Sequence, residues 1–175
     1  MEIENQYPIG TLEWKAFSVA EKESALADVR FLPNALEAAI TNLDEACLHT
    51  PYREGGWTVH QLVHHIADSH INAYIRFKLC LTENVPAIKT YNEELWANLD
   101  DVRSLPVNIS ITLLYALHAR WYEAIRNLPD EAWERTAYHP GMEKELSLWH
   151  FLQLYAWHGR HHVAQINGLR EKMRW

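Results

Sequence analysis

Cysteine is scarce in this chain. Cys47 and Cys80 are the only two among 175 residues, too few for a disulfide framework, and neither stands in a CxxC or Cys/His finger spacing. Both are read as buried structural thiols. Glycine (6) and proline (7) are also few, which excludes a collagen-like, linker-dominated or disordered chain. No apolar run approaches the roughly 18 to 20 residues of a membrane span, and the first ten residues, MEIENQYPIG, lack the basic-then-apolar order of a secretory signal. A cytoplasmic protein with no membrane partner is expected. Basic residues are in deficit: 16 Lys and Arg against 23 Asp and Glu give a formal net charge of −7. Such a surface repels a polyanion, so nucleic acid is not an expected partner. P-loop, GxSxG and GxGxxG motifs are absent too, leaving phosphate-loop, serine-hydrolase and dinucleotide chemistry without support.

What the chain does have is 48% apolar residues, enough at this length for a core of its own, and one domain over residues 1–175 is expected. It also has 11 histidines, more than Met (3) and Phe (4) together. Imidazole is the commonest protein metal ligand and titrates near neutrality, so this excess asks for a metal or acid/base site.

Apolar residues recur at threes and fours in four segments. Val29, Leu32, Leu36, Ala39, Ile40, Leu43 and Cys47 predict a first helix over 20–47. Turn formers fill 49–57, and Thr58 then stands three residues before Gln61. This capping-box spacing predicts a second helix from Thr58 to about Leu81. Residues 82–108, with Pro86 and Pro106, read as a long connection holding a short helix at 92–99. The stripe Leu114, Leu117, Trp121, Ile125 and Leu128 predicts a third helix from about Asn108 to Leu128. Pro140 and Gly141 mark a turn within 129–146, and Ser147 is a candidate N-cap for a last helix. Its stripe reads Leu148, Phe151, Tyr155, His158, His162, Gln165 and Leu169. The expected fold class is all-α: a four-helix bundle whose long connection, between helices two and three, carries the chain along the bundle. No alternation is long enough to predict a sheet.

The last helix carries the sharpest chemistry. His158 and His162 are four residues apart, so both imidazoles leave one face a turn apart, where one metal ion can bridge them. Both lie on the apolar stripe, where unpartnered imidazoles would be costly. An HxxxH pair alone is as readily explained by hydrogen bonds in a core. His161 lies about 100° round the axis and is expected at the surface or behind the ligands. Helix two offers His60, His64, His65 and His70 for a third ligand, and periodicity leaves His64 and His65 open.

The segment GGWTVHQLVHHIADSHINAYIRFKLCLTE at 55–83 with WHGRHHVAQI at 157–166 resembles the DinB-like metal-binding four-helix family. It is most similar to the YfiT-like branch, described as metal-dependent hydrolases and linked to bacillithiol S-transferase activity. The likeness extends from YPIG at 7–10 through TPYREGGW, PAI at 86–88 and YHP at 138–140 to the end. It implies metal ligands at His65, the eighth position after Trp57, and at His158 and His162. It further implies one divalent metal per subunit, zinc or nickel, a homodimer and a cytoplasmic location, with bacillithiol as a candidate co-substrate.

Three neutral imidazoles leave a divalent ion its full charge and an open position for water or a small-molecule substrate, which favours catalysis. The expected function is metal-dependent hydrolysis through activated water; thiol S-transfer to an electrophile fits the same residues, as does non-catalytic binding of a metal or small ligand. Asp68, one turn past His65, is a candidate carboxylate behind the ligands. Arg76, Arg120 and Arg160 are candidate anchors for an acidic thiol. Trp149, Trp157 and Tyr155 are candidate pocket walls. Gln165, His118 and His139 are assigned no role.

Overall fold

The four apolar stripes become four long helices. The computed structural model describes residues 6–175, so Met1–Asn5 of the N-terminal segment considered above lie outside the described residues. Helix α1 (Val19–Ile40) begins at Ser18, whose hydroxyl accepts the Glu21 N–H. It stops at Thr41 because Asn42 adopts a φ of 63°, and Asp44 then caps a separate short helix, α2 (Glu45–Leu48), by accepting the Cys47 N–H. The single helix expected over 20–47 is therefore two. Asn and Asp side chains compete for backbone hydrogen bonds and favour turns and caps, which here outweighs a stripe that runs through the break.

Helix α3 (Val59–Thr82) starts where expected. The Thr58 hydroxyl accepts the Gln61 N–H at 3.1 Å and the Gln61 carbonyl oxygen accepts the Thr58 N–H at 3.0 Å, a closed capping box. The connection that follows holds α4 (Glu93–Trp96), capped by Asn92, and α5 (Asp100–Ser104). Helix α6 (Val107–Ile125) ends short of Leu128, since Pro129 pushes the residue before it out of helical geometry. Helix α7 (Leu148–Met173) starts at Ser147, which accepts the His150 N–H.

Between α6 and α7 the chain forms a two-stranded antiparallel hairpin that the sequence reading did not anticipate. Strand β1 (Thr136–His139) pairs with β2 (Lys144–Ser147), with Ala137 opposite Leu146. The strands are four residues each, too short for alternation to register. Pro140 opens the turn and Glu143, at a φ of 52°, closes it. Ala87 bridges to Tyr138, so the hairpin also fastens the long connection.

Helices α1 and α3 face each other across a diagonal, each packed on both α6 and α7. The buried residues fall into two clusters, one around Phe77, Trp121, Trp133 and Phe151, the other around Leu36, Leu62, Ile66, Leu114 and Ile166. Helices α1 and α7 run from the first cluster to the second, α3 and α6 the opposite way. Neighbours α3 and α6 are thus parallel, and the long connection returns the chain along the whole bundle, as expected. Between the clusters lies a polar layer: His70 and His118 are 0% and 1% exposed, and His65, His158 and His162 lie at the same level.

Candidate metal centre

Helix α3 contributes His65 and helix α7 contributes His158 and His162. Their Nε2 atoms converge: His158 Nε2 stands 3.2 Å from His65 Nε2 and 3.2 Å from His162 Nε2, and the three ligand atoms all lie within 4.8 Å of one another. His65 and His162 are buried and His158 is half-buried. Burial holds the imidazoles uncharged, with His65 lowered to about 4 and His162 to about 3. His158 lies well below the usual histidine value, through burial first and then through His162, His65, His70 and His161. Neutral imidazole is the ligand form.

Neighbouring groups fix which nitrogen carries the proton. The Val29 carbonyl can only accept, so the His118 Nδ1 that bonds to it is the protonated nitrogen. Burial lowers the His118 pKa to about 4, so the ring is neutral and its Nε2 is an acceptor. His70 Nδ1 therefore donates to His118 Nε2 at 3.1 Å. His70, fully buried and neutral for the same reason, accepts at Nε2 from His158 Nδ1 at 3.2 Å. The lone pair of His158 is left on Nε2, facing the other two histidines. On His162 the same outcome comes from Gln165, whose carbonyl oxygen accepts the Nδ1–H at 2.8 Å while its amide donates to the Gln6 carbonyl at 2.9 Å.

His158 and His162 thus point two bare acceptors at each other across 3.2 Å. With no proton between them that approach is unfavourable, and a shared cation removes the conflict. For a tetrahedral ion with bonds of about 2.0–2.1 Å to nitrogen, adjacent ligand atoms are about 3.3 Å apart. The donor set and spacing fit a divalent metal with room for a further ligand.

Pattern left His64 and His65 open, and the fold separates them. His64 turns toward α6, with Nδ1 2.7 Å from Ser110 Oγ and Nε2 3.1 Å from the Leu105 carbonyl. His60 meets the same carbonyl at 3.1 Å. His161, expected at the surface or behind the ligands, is buried, stacked on Trp157 at 4.5 Å, and accepts from the Gln165 amide at 3.0 Å. Trp157 packs on the ring and the Gln165 amide satisfies Nε2, while among the described residues the buried Nδ1 has no partner. Asp68 is half-buried, and among the described residues its carboxylate makes no hydrogen bond to the histidine cluster. Burial first and then the nearby Asp101 raise its pKa to about 6. Arg120 is exposed over Tyr74 and Arg160 pairs with Asp28 at 3.3 Å; neither lines the chamber described next. Trp149 is buried in the core, donating to the Lys15 carbonyl.

The cluster opens onto a chamber of about 470 Å³, with Arg76, Tyr91, Tyr155 and Trp157 in its wall beside the three histidines. Sequence reasoning gave no role to His118 or Gln165 and offered His70 only as a candidate third ligand. His118 did leave a signal: it stands between Leu114 and Trp121 on the apolar stripe of α6, where a lone histidine needs a partner.

The chain is also similar to known proteins. Residues 29–166 match the DinB superfamily. Proteins of Bacillus cereus, Bacillus anthracis and Bacillus thuringiensis, each described as a "Putative metal-dependent hydrolase", are 48% identical over 171 residues, covering 97% of this chain and 98% of theirs. The structure of YfiT from Bacillus subtilis, described as "a probable metal-dependent hydrolase with an unusual four-helix bundle topology", matches with a TM-score of 0.95 at 42% identity over 98% of this chain and 99% of that one.

Proposed function

The chain belongs to the DinB superfamily, and from that premise we propose that it is a metal-dependent hydrolase in which His65, His158 and His162 hold one divalent ion. The observation that carries the reading is the convergence of three neutral imidazoles, two of them with their bare Nε2 atoms fixed by outside partners. Bound there, zinc or nickel would keep its double charge and lower the pKa of coordinated water toward neutrality, the property hydrolysis at pH 7 requires.

The protein's own groups set the conditions. His118 and His70 hold His158 in the ligand tautomer, and Gln165 does the same for His162. Trp57, whose ring lies 4.5 Å from that of His65, and Trp157 wall the chamber. Tyr155 stands between His158 and Arg76, its ring 6.3 Å from the His158 ring and its hydroxyl accepting from the guanidinium. Burial raises the Tyr155 pKa, so it serves as a neutral hydrogen-bonding group.

Elemental analysis of protein purified without chelating resin tests the site. Wild type is expected to hold about one divalent ion per chain, and His65→Ala, His158→Ala and His162→Ala are each expected to lose it. Ester and amide hydrolysis should stop on chelation and return with zinc or nickel. Turnover that appears only with a low-molecular-weight thiol such as bacillithiol would replace hydrolysis by S-transfer, and a tightly held ion with no turnover would replace both by binding. Homodimer formation belongs to the same reading, and sedimentation at micromolar concentration tests it.

A further inference from the structure

Arg76 stands out among the side chains of the chamber wall. It is 8% exposed, yet among the described residues no carboxylate lies within ion-pair distance of it; the charged pairs are all elsewhere. A guanidinium carries a fixed positive charge and five N–H donors. One on Nη1 goes to the Tyr155 hydroxyl and one on Nη2 to the Lys89 carbonyl at 2.9 Å, while Nε has no partner. Tyr155 is neutral, so neither acceptor cancels the charge.

Several titratable groups of the wall lie close enough to feel this cation. It lowers the pKa values of His139, after burial, and acts on those of Tyr91 and Tyr155, all three of which line the same chamber. His139 Nδ1 is also buried without a partner. The chamber lining therefore holds three unsatisfied nitrogens, on Arg76, His139 and His161, and one uncompensated charge, in a wall rich in aromatic side chains that also includes Ser69, Thr90, Met142 and Leu154. The one carboxylate lining it, Glu93, is exposed.

We propose that this chamber takes a small organic monocarboxylate, its acid group seated against Arg76 and His139 and its apolar body among Tyr91, Tyr155 and Trp157, so that its far end reaches the three-histidine cluster. A buried cation without an anion is costly, and removing that cost on ligand binding is what makes the position selective. A monocarboxylate matches a single positive charge. A phosphate monoester would bring a second negative charge toward Glu93. Carboxylate and guanidinium also pair with two parallel hydrogen bonds, which orients the ligand. The inference deepens the proposed function, resting on the chamber being the reaction site, and it names the class of molecule that site admits.

The test is binding of phenylacetate and 4-phenylbutyrate, beside their neutral amides and inorganic phosphate, to the protein as purified. Tryptophan fluorescence reads it, because Trp57 and Trp157 line the chamber. The acids are expected to bind at least about tenfold more tightly than the amides. Arg76→Met should erase that difference and Arg76→Lys should keep part of it. His158→Ala, which breaks the metal site, should leave it in place. Equal binding of acid and amide, or no saturable binding of either acid, overturns the proposal. Loss of the preference in His158→Ala but not in Arg76→Met overturns it too, placing the carboxylate on the metal. Phosphate binding that outcompetes the acids and depends on Arg76 overturns the carboxylate assignment. Melting curves separate a folding defect: Arg76→Met should melt at or above the wild-type temperature if the charge is uncompensated, and a large drop would make Arg76 a structural clasp for Lys89. Metal content and ester hydrolysis on the same wild-type sample fail or stand independently of these results, so loss of the carboxylate site is distinguishable from loss of the hydrolase reading.

Discussion

At the scale of single residues, the proposed metal centre depends on side chains outside its three histidines. A bare imidazole has two tautomers of similar energy, and only one presents Nε2 to the metal. For His158 the choice is made by a backbone carbonyl two side chains away, through His118 and His70. His118→Phe keeps a ring against His70, 5.0 Å away in the native stack, but removes the acceptor that holds the His70 proton. Zinc affinity, measured by competition with a chromogenic chelator, is expected to fall about tenfold with all three ligands intact. Nitrogen-15 spectra of the metal-free variant should show His158 as a mixture of tautomers where wild type shows one. Unchanged affinity and a single tautomer would show that the relay does not set the ligand.

At the scale of elements, the positions of α1 and α7 are set by close packing at one glycine. A Cβ on Gly159 would stand 2.7 Å and 2.8 Å from the two terminal methyls of Leu32, so the helices touch where no side chain fits. Gly159 follows His158 directly, and this contact fixes how far the ligand face of α7 stands from the bundle axis. Gly159→Ala gains about 1 kcal/mol of helix propensity and is charged roughly 1–3 kcal/mol for displacing a packed leucine. The expected net loss is about 1 kcal/mol, read as a lower urea midpoint, with metal affinity falling alongside. Adding Leu32→Ala should give a double variant that loses less than the sum of the two single changes.

At the scale of the whole molecule, a layer of neutral histidines between two apolar clusters makes the fold acid-labile. The folded-state values, about 4 for His65 and His118 and about 3 for His162, lie below the ordinary 6.5. Protons therefore bind the unfolded chain first as the pH falls through 6.5. Stability is intact above that point and is lost between pH 6.5 and about 4. Each such group contributes about 1.4 kcal/mol per pH unit inside its window, so a few of them approach the whole stability of an ordinary domain. Asp68 acts in the opposite sense, since its pKa is raised to about 6. Its ionised form is disfavoured above pH 6 and that penalty is relieved on acidification, one group against several. Urea midpoints measured on metal-free protein from pH 8 to 4 should fall steeply below 6.5, and a flat profile would show that the histidine layer takes up protons without cost. Zinc at about a hundred times its dissociation constant should add about 2.7 kcal/mol at neutral pH.

Much of this was determined by sequence alone, because it depends on order within a few residues. Thr58 and Gln61 close a capping box whatever the rest of the chain does, and Ser147 starts α7 in the same local way. The four-residue spacing puts His158 and His162 on one face of any helix that contains them. Where a local competition was overlooked, as at Asn42 and Asp44, the reading ran one helix through a break. The hairpin was missed because strands of four residues are held by pairing across a turn and by Ala87 rather than by an alternation of their own. Periodicity left the histidine of α3 open and the family resemblance pointed to His65; only the tertiary structure decided that His118 from another helix fixes the His158 proton and that, among the described residues, Arg76 lies buried with no acid beside it. Periodicity reports an angle about one helix axis. What stands opposite that angle depends on which helices are neighbours, and here α1 and α3 face each other across a diagonal while the long connection makes α3 and α6 parallel.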